Sequence, residues 1–542
     1  MRRGLALLCA LLALPVLGVL GSWLAFDAGA LEILRHQAQT VLPGYAGQSL
    51  VLAVSVGVGV AVVGAATAAA ICLFEFPGRR FFEWALLLPL AMPAYVLAYA
   101  YTDFLQYSGP VQVALRAATG AEGALWPDVR SLWGAVILFV LCLYPYVYLL
   151  VRTALGERGV HMMEAARLLG AGLRRRVVEV AIPLARPAIA AGVALAVMEV
   201  LADFGVGSYF GLTTLSTGIY KAWLVMFDRI AAAQLASVLL LLVGLLLWFE
   251  RRAQRKLRFA ASRSGATHGA DARPVQLHGR RAALAMAVCA TPVLLGFVVP
   301  VAVLLRLLWI EATTSEFGLP LARFAQWSLT SFKLAAIAAL CAAALALALG
   351  FVLRLHAARS ARGRRDGLAL GARVVSLGYA MPGAVVAVGI LLPVGWAQAQ
   401  WPQTGVGALF TGTIMGLIYA YLVRFSAVAL QSVEAGYARL PASIDDSARM
   451  LGAGRGRLFA ELHLPLLQRS ALAAALLVFV DVMKELPATL VLRPFNSDTL
   501  AVVAYNFARD ERLAEAALPS LAIVLVGLVP VVMLSHALRR RG

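Results

Sequence analysis

The sequence predicts an all-α integral membrane protein with about twelve transmembrane helices. Apolar runs of about twenty residues recur along the chain, long enough to cross a hydrocarbon core of roughly 30 Å at 1.5 Å per residue. Hydrophobic residues make up 61% of the 542 positions and charged ones 14%, too little charge to cover a soluble surface. Backbone amides and carbonyls in lipid must be paired internally, and the alternating pattern of a membrane β-barrel is absent, so the runs are helices.

In chain order the spans are expected near residues 4–26, 50–74, 82–106, 131–153, 184–206 and 232–249. A second set is expected near 282–306, 329–354, 373–396, 405–430, 469–491 and 517–537. The first run follows Met1-Arg2-Arg3, and Ala28-Gly29-Ala30 is a passable leader-cleavage site. From Gly4 to Phe26 the run exceeds a typical leader core and is read as a retained span.

The net charge of +19 comes almost wholly from arginine and is sorted by the loops. One side receives Arg2 and Arg3, Arg79 and Arg80, the 154–182 segment with Arg174-Arg175-Arg176, and the 250–281 stretch. It also receives Arg359, Arg362, Arg364 and Arg365, the 431–468 segment, and Arg539 to Arg541. By the positive-inside rule this side is cytoplasmic, which places both termini there. The basic excess is then explained without nucleic acid. Cys9, Cys72, Cys142, Cys289 and Cys341 all lie in apolar runs without metal-ligand or CxxC spacing and read as small packing residues.

The chain divides into a first half, 1–249, a polar basic linker, 250–281, and a second half, 282–542. The linker offers basic groups to lipid headgroups but needs no dedicated site. Glu164-Ala-Ala-Arg-Leu-Leu-Gly-Ala-Gly172 in the first half is echoed by Asp446-Ser-Ala-Arg-Met-Leu-Gly-Ala-Gly454 in the second, and Pro183 and Pro465 follow at equal distance. Met92-Pro93 is echoed by Met381-Pro382, and Glu199 and Asp203 by Asp481 and Glu485. Six spans per repeat preserve orientation, so the repeats are parallel. Each segment (154–183 and 431–465) reads as a short cytoplasmic helix with an acidic first turn, a glycine turn, and a proline opening the next span. Such a helix docks into a groove on another protein or simply lies at the interface; two matching copies favour docking.

At these residues the chain resembles the permeases of binding-protein-dependent ABC importers. The first copy supplies Glu164, Ala165, Ala166, Gly170 and Pro183 of the family's signature loop. The second supplies Asp446, Ser447, Ala448, Gly452 and Pro465, departing by Asp446-Ser447 in place of Glu-Ala. The resemblance implies the type I importer (MetI-like) fold and a coupling helix at each loop, seated in a cleft of an ATPase subunit. It also implies two ATPase copies per fused chain and a periplasmic substrate-binding protein. Leu201-Ala-Asp-Phe-Gly205, Thr217-Gly-Ile-Tyr-Lys221, Met483-Lys-Glu-Leu-Pro-Ala-Thr489, Leu492-Arg-Pro-Phe-Asn496 and Trp126-Pro-Asp-Val-Arg-Ser131 look like the fused permeases of ferric iron importers. Iron is implied by that similarity alone.

The chain carries no ATPase motif of its own. Its only lysines are Lys221, Lys256, Lys333 and Lys484, and none follows the glycine a P-loop requires. ATP and magnesium therefore belong to a separate subunit, and this chain is not an enzyme. Glu199, Asp203, Asp481, Lys484 and Glu485 are charges inside spans and hence candidates for the translocation path or gate. Asp203 is expected one helical turn beyond Glu199 on the same face. Their oxygens suit a hard cation in transit. The competing reading is structural: Lys484 neutralises Asp481 or Glu485 and the group locks the halves or the outer gate. Tyr95, Tyr99, Tyr101, Tyr144, Tyr146 and Tyr148 read as packing or interface residues, and no resident metal is expected. His161 and His463 fall in the coupling segments, with the ATPase interface as their expected surroundings, and a metal role there has little support. Two alternatives stay open: the same permease design for thiamine, a phosphonate or a polyamine, and a secondary transporter driven by an ion gradient.

Overall fold

Helices dominate for the reason the hydropathy gives, and several of their breaks fall where proline or glycine interrupts the run. The computed structural model describes residues 2–25, 28–156, 159–262, 274–316, 318–357, 378 and 381–539. Among the described residues ten helices are long and apolar enough to cross a membrane. Two bent pairs, Leu8–Leu24 with Ala28–Gln39 and Arg79–Ala91 with Ala94–Thr119, raise the number to twelve. The expected arginines at 359, 362, 364 and 365, and the start of the span expected at 373–396, lie outside the described residues; the described part of that span is Gly383–Gln400.

The chain forms two compact units, each drawing on both sequence halves: Met1–Ala38, Ile219–Leu240 and Pro320–Val503 in one, Gln39–Gly218, Leu241–Leu319 and Ala504–Gly542 in the other. In the latter, Leu42–Leu73, Leu132–Gly156 and Leu173–Ala202 pack together. Their approach is set by small residues: a Cβ on Gly64 would lie 2.6 Å from Val147 Cβ, and one on Gly192 would lie 2.6 Å from Val147 Cα. In the former, Leu321–Ala357, Met415–Tyr437 and Arg455–Met483 repeat the arrangement. There the first helix, Arg2–Gly21, packs on Gly383–Gln400, with Gly18 so close that a Cβ would meet Gly389 O at 2.5 Å.

Three local expectations are corrected. The third span of the first half is not continuous but bends by 92° at Met92-Pro93. A residue before proline is driven from the helical region, and Met92 is extended (φ −95°, ψ 112°). Cys142 Sγ donates to the Met92 carbonyl thus released, at 3.0 Å. Met381-Pro382 makes the same entry, with Val386 N donating to Pro382 O at 3.1 Å. Secondly, Pro183 and Pro465 do not open their spans. The helices begin earlier, at Leu173 and Arg455, and pass through π turns, Val177–Ala181 and Leu458–His463, before each proline. The wider turn accommodates a ring that has no N–H and would clash in an unbroken α-helix. Thirdly, the 250–281 linker is not wholly irregular. The helix starting at Arg229 continues to Ser262, since Arg251 to Ser262 contains neither glycine nor proline, and Val275–Gln276 pairs in parallel with Phe74–Glu75. Residues 263–273 lie outside the described ones.

Gly192→Val should lower the yield and thermal midpoint of purified protein, at a cost of about 1–3 kcal/mol for overpacking. Gly244→Ala, with nothing within 4 Å of the new Cβ, should leave both unchanged in the same assay.

Candidate functional site

Two short helices outside the membrane runs, Gly159–Leu168 and Ala442–Met450, carry the repeated motif. Each ends in the same left-handed glycine, Gly170 and Gly452 both at φ +81°. Gly170 N donates to Arg167 O at 2.9 Å and Ala171 N to Ala166 O at 2.9 Å. The second copy repeats the pair at 3.0 Å each, Gly452 N to Arg449 O and Ala453 N to Ala448 O. This is the Schellman closure, and only glycine adopts its turn without strain. Ahead of each glycine the chain displays two large apolar side chains: Leu168 and Leu169 (79% and 88% exposed), and Met450 and Leu451 (89% and 87%).

Sequence reasoning missed these two pairs. The available signal was a pair of large apolar residues directly before a glycine turn, within an arginine-rich segment. Ala165 and Ser447 are exposed, while Ala166 and Ala448 are half-buried; Ala448 packs against a core of Phe351, Leu355 and Leu458. Glu164 and Asp446 are not first-turn acids as expected. The described helices begin at Gly159 and Ala442, so each acid lies further in and pairs with an arginine three residues on: Arg167 Nε to Glu164 at 3.0 Å, and Arg449 to Asp446 at 3.1 Å. Asp445 holds the first turn of the second copy. The His161 side chain lies outside the described residues.

The two helices are tied down by different chemistry. In the second half, buried Asp445 accepts from Arg354 Nε at 2.9 Å and lies 3.1 Å from His463 Nε2. His463 Nδ1 is 3.1 Å from the Tyr437 hydroxyl, and Arg354 also donates to Leu440 O at 3.0 Å. A neutral imidazole satisfies both contacts, with Nε2–H donating to the carboxylate and Nδ1 accepting from the phenol. The 282-residue displacement from Glu164 to Asp446 puts Cys72, Leu155, Met163 and Ala181 at the matching first-half positions. The first helix is thus held by apolar packing where the second is held by a buried charge network. The sequence reading placed His463 at the ATPase interface; the structure buries it behind the helix.

The intramembrane carboxylates also divide. The helix carrying Glu199 ends at Ala202, so Asp203 is not stacked one turn further on it. Asp203 is extended (φ −71°, ψ 134°), and its Oδ1 accepts Val206 N at 2.9 Å, capping Gly205–Tyr209. Glu485 does the same after its helix ends at Met483. Its Oε1 accepts Ala488 N at 2.8 Å and its Oε2 accepts Thr489 N at 2.9 Å, opening Pro487–Leu492. A chain break in lipid strands amides, and a carboxylate is the strongest acceptor to meet them. Lys484 pairs with Asp481 at 3.1 Å, as one of the two pairings considered had it. The counter-charge of Glu485 is instead Arg424, at 2.8 Å, which sequence reasoning passed over although it is a lone basic residue in the Met415–Leu430 run. With 4% exposure and both oxygens engaged, Glu485 is built into the scaffold.

Among the described residues no group of three or more His, Cys, Asp or Glu could hold a metal. The Tyr101, Tyr144 and Tyr148 hydroxyls donate to the carbonyls of Leu295, Leu86 and Glu83, at 2.6, 2.9 and 2.8 Å. These contacts fit packing roles. The Trp126–Ser131 segment is held by Trp126 Nε1 donating to Leu105 O at 2.8 Å. Arg130 donates to both carboxylate oxygens of Glu511 at 2.7 Å and to the Tyr209 hydroxyl at 2.9 Å. That fork holds the Glu511 carboxyl below its ordinary value near 4.5.

Residues 60–259 match the family described as binding-protein-dependent transport system inner membrane component. The chain is 25% identical to the Fe(3+)-transport system permease protein FbpB 2 of Haemophilus influenzae, over 87% of this chain and 86% of that protein. It is 22% identical to a probable ABC transporter permease protein, y4fN, of Sinorhizobium fredii, over 88% and 84%. It is also 25% identical to a putative 2-aminoethylphosphonate transport system permease protein, PhnU, of Salmonella choleraesuis, over 43% of this chain and 81% of that one.

Asp445→Asn should destabilise the second half by about 3–5 kcal/mol, because Arg354 stays buried without its counter-charge. Installing the first-half set instead (Arg354→Cys, Tyr437→Leu, Asp445→Met and His463→Ala together) should cost less than the single change, as read by thermal midpoint. For Arg130 the sign follows from the lowered Glu511 value. The pair's contribution is complete above about pH 4.5 and is lost as pH falls through the lowered pKa. Arg130→Gln should therefore lower the midpoint at pH 7 by the equivalent of about 1 kcal/mol or less, since Glu511 is largely exposed, and the deficit should vanish in acid.

Proposed function

We propose that this chain, a permease of the binding-protein-dependent ABC import type in the inner membrane, carries ferric iron inward, driven by two copies of a separate ATPase subunit. One copy docks on Gly159–Leu168 and the other on Ala442–Met450. The observation that carries the docking assignment is the matched pair of apolar tips, Leu168-Leu169 and Met450-Leu451, each held clear of the bundle by a left-handed glycine. Adjacent large apolar side chains at 79–89% exposure, presented in the same way by both copies of the motif, suit a surface that another protein covers. Both termini lie on the same cytoplasmic side, following the arginine-rich loops. ATP and magnesium are bound by the partner, the solute is delivered by a periplasmic binding protein, and no cofactor resides in this chain.

Iron as the solute is supported by the iron(III) relative, which the chain matches over most of both lengths. A phosphonate is the second reading, because the 2-aminoethylphosphonate relative matches over 43% of this chain. Glu199, Asp203 and Asp481 are the carboxylates assigned to the path or gate, with Lys484 moderating Asp481. Glu485 is assigned to holding the break it caps.

Uptake of labelled ferric iron by cells lacking the gene should return when the gene is restored and collapse when ATP is depleted. Uptake of 2-aminoethylphosphonate restored in its place would move the assignment to the second reading. Gly452→Val puts a β-branched side chain at φ +81°, at a local cost of about 1–2 kcal/mol. It should leave the protein in the membrane but lower ATP-driven uptake more than ATPase activity; equal rates to wild type would count against docking.

A further inference from the structure

Within the unit that contains the first helix, a crevice of about 540 Å³ opens where three helix ends meet. Arg2–Gly21 ends there, Arg229–Ser262 begins there, and the last two turns of Gly383–Gln400 close the third side. Its volume is in the range of small-molecule pockets, about 300–1,000 Å³. Most of the wall is apolar, and its lining includes Trp23, Trp396 and Pro393. Two tryptophans at helix ends mark the membrane–water boundary, where an amphipathic ring is best placed.

Three polar side chains break the apolar wall: Ser22, which donates to Val19 O at 2.6 Å, and two that the fold does not explain. Arg229 lines the crevice and is exposed; among the described residues it has no ion-pair partner. Its guanidinium lies against Gly395, with Nη1 3.2 Å from where a Cβ there would stand. Gln234 is 4% exposed; its Nε2 donates to Ala30 O at 2.9 Å, while its Oε1 is buried without any hydrogen-bond partner. An unmet buried acceptor costs about 1–3 kcal/mol. The crevice thus presents a bidentate cation for a phosphate, an acceptor awaiting an N–H or O–H donor, and an apolar wall, all at interfacial depth.

We propose that this crevice binds the headgroup of a phosphatidylethanolamine molecule as a structural ligand. The Arg229 guanidinium takes the phosphate, the primary ammonium donates to Gln234 Oε1, and the glycerol and upper acyl carbons lie along Pro393 and the tryptophan rings. The lipid fills the space between the first helix and the helices starting at Arg229 and ending at Gln400. Phosphatidylcholine, whose quaternary ammonium has no N–H, satisfies the guanidinium but not the amide.

Native mass spectrometry of the full chain, purified and then offered short-chain phosphatidylethanolamine, phosphatidylcholine or soluble glycerophosphoethanolamine, tests this. Phosphatidylethanolamine should be retained about tenfold over phosphatidylcholine, the size of one hydrogen bond from a charged donor. Gln234→Leu should abolish that preference while still binding both lipids. Arg229→Ala should lose retention of both, and Arg229→Lys should keep it, which separates loss of charge from loss of fold. Equal retention of the two lipids by the wild type, or unchanged retention in Arg229→Ala, would overturn the site. Soluble glycerophosphoethanolamine binding as well as the lipid would mean the crevice holds a soluble phosphate ester instead, and would equally overturn it.

Discussion

A break in a membrane helix leaves amide groups in a medium that offers no water, and this protein's architecture follows from how it meets that demand. After Ala202 and after Met483 the chain stops being helical. In both places a carboxylate accepts the next helix's first amides: Asp203 takes Val206 N, and Glu485 takes Ala488 N and Thr489 N. Further along, Leu215 N is met by Ser49 Oγ at 2.9 Å and Leu500 N by Ser331 Oγ at 2.8 Å. These serines stand 282 residues apart, the spacing that relates the two signature loops. The repeat is therefore preserved in how amides are satisfied at the breaks, not only in hydropathy.

The halves then diverge in charge. Where the second half holds Arg354 and Arg424 in buried pairs with Asp445 and Glu485, the first half has Cys72 and Cys142 at the matching positions. Glu485 needs a counter-charge because its side chain is 1% exposed. A buried pair is seldom a net gain over apolar packing, but it is costly to break, so it fixes one arrangement. The second motif helix is thereby tied to its bundle through Asp445 by charged and polar contacts that the first lacks at the matching positions.

Much of this was legible in the sequence because membrane insertion is governed by length and polarity, which a linear chain displays. The spans, the parallel repeat and the glycine turns at Gly170 and Gly452 follow from those quantities and from the steric privilege of glycine. What was not legible depends on three dimensions. The position of a π turn ahead of Pro183 could not be counted from residue types, so the helix start was placed too late. Asp203 looks like a helix-face residue at i+4 from Glu199 until the helix end is known. Arg424 lies 61 residues before Glu485, and nothing linear pairs them. Leu168-Leu169 and Met450-Leu451 were overlooked because in an apolar chain a leucine pair carries no signal until its exposure is seen.

The proposed docking requires those exposed tips to be covered by the ATPase. Photoreactive residues placed at Leu169 and at Leu451, in membranes containing this chain and its cognate ATPase, should each cross-link to the ATPase in high yield. A control at exposed Leu409, in the segment between the third and fourth spans of the second half, should not. Cross-linking at one tip alone would contradict the two-site arrangement, and none at either, with the complex intact, would contradict the docking role itself.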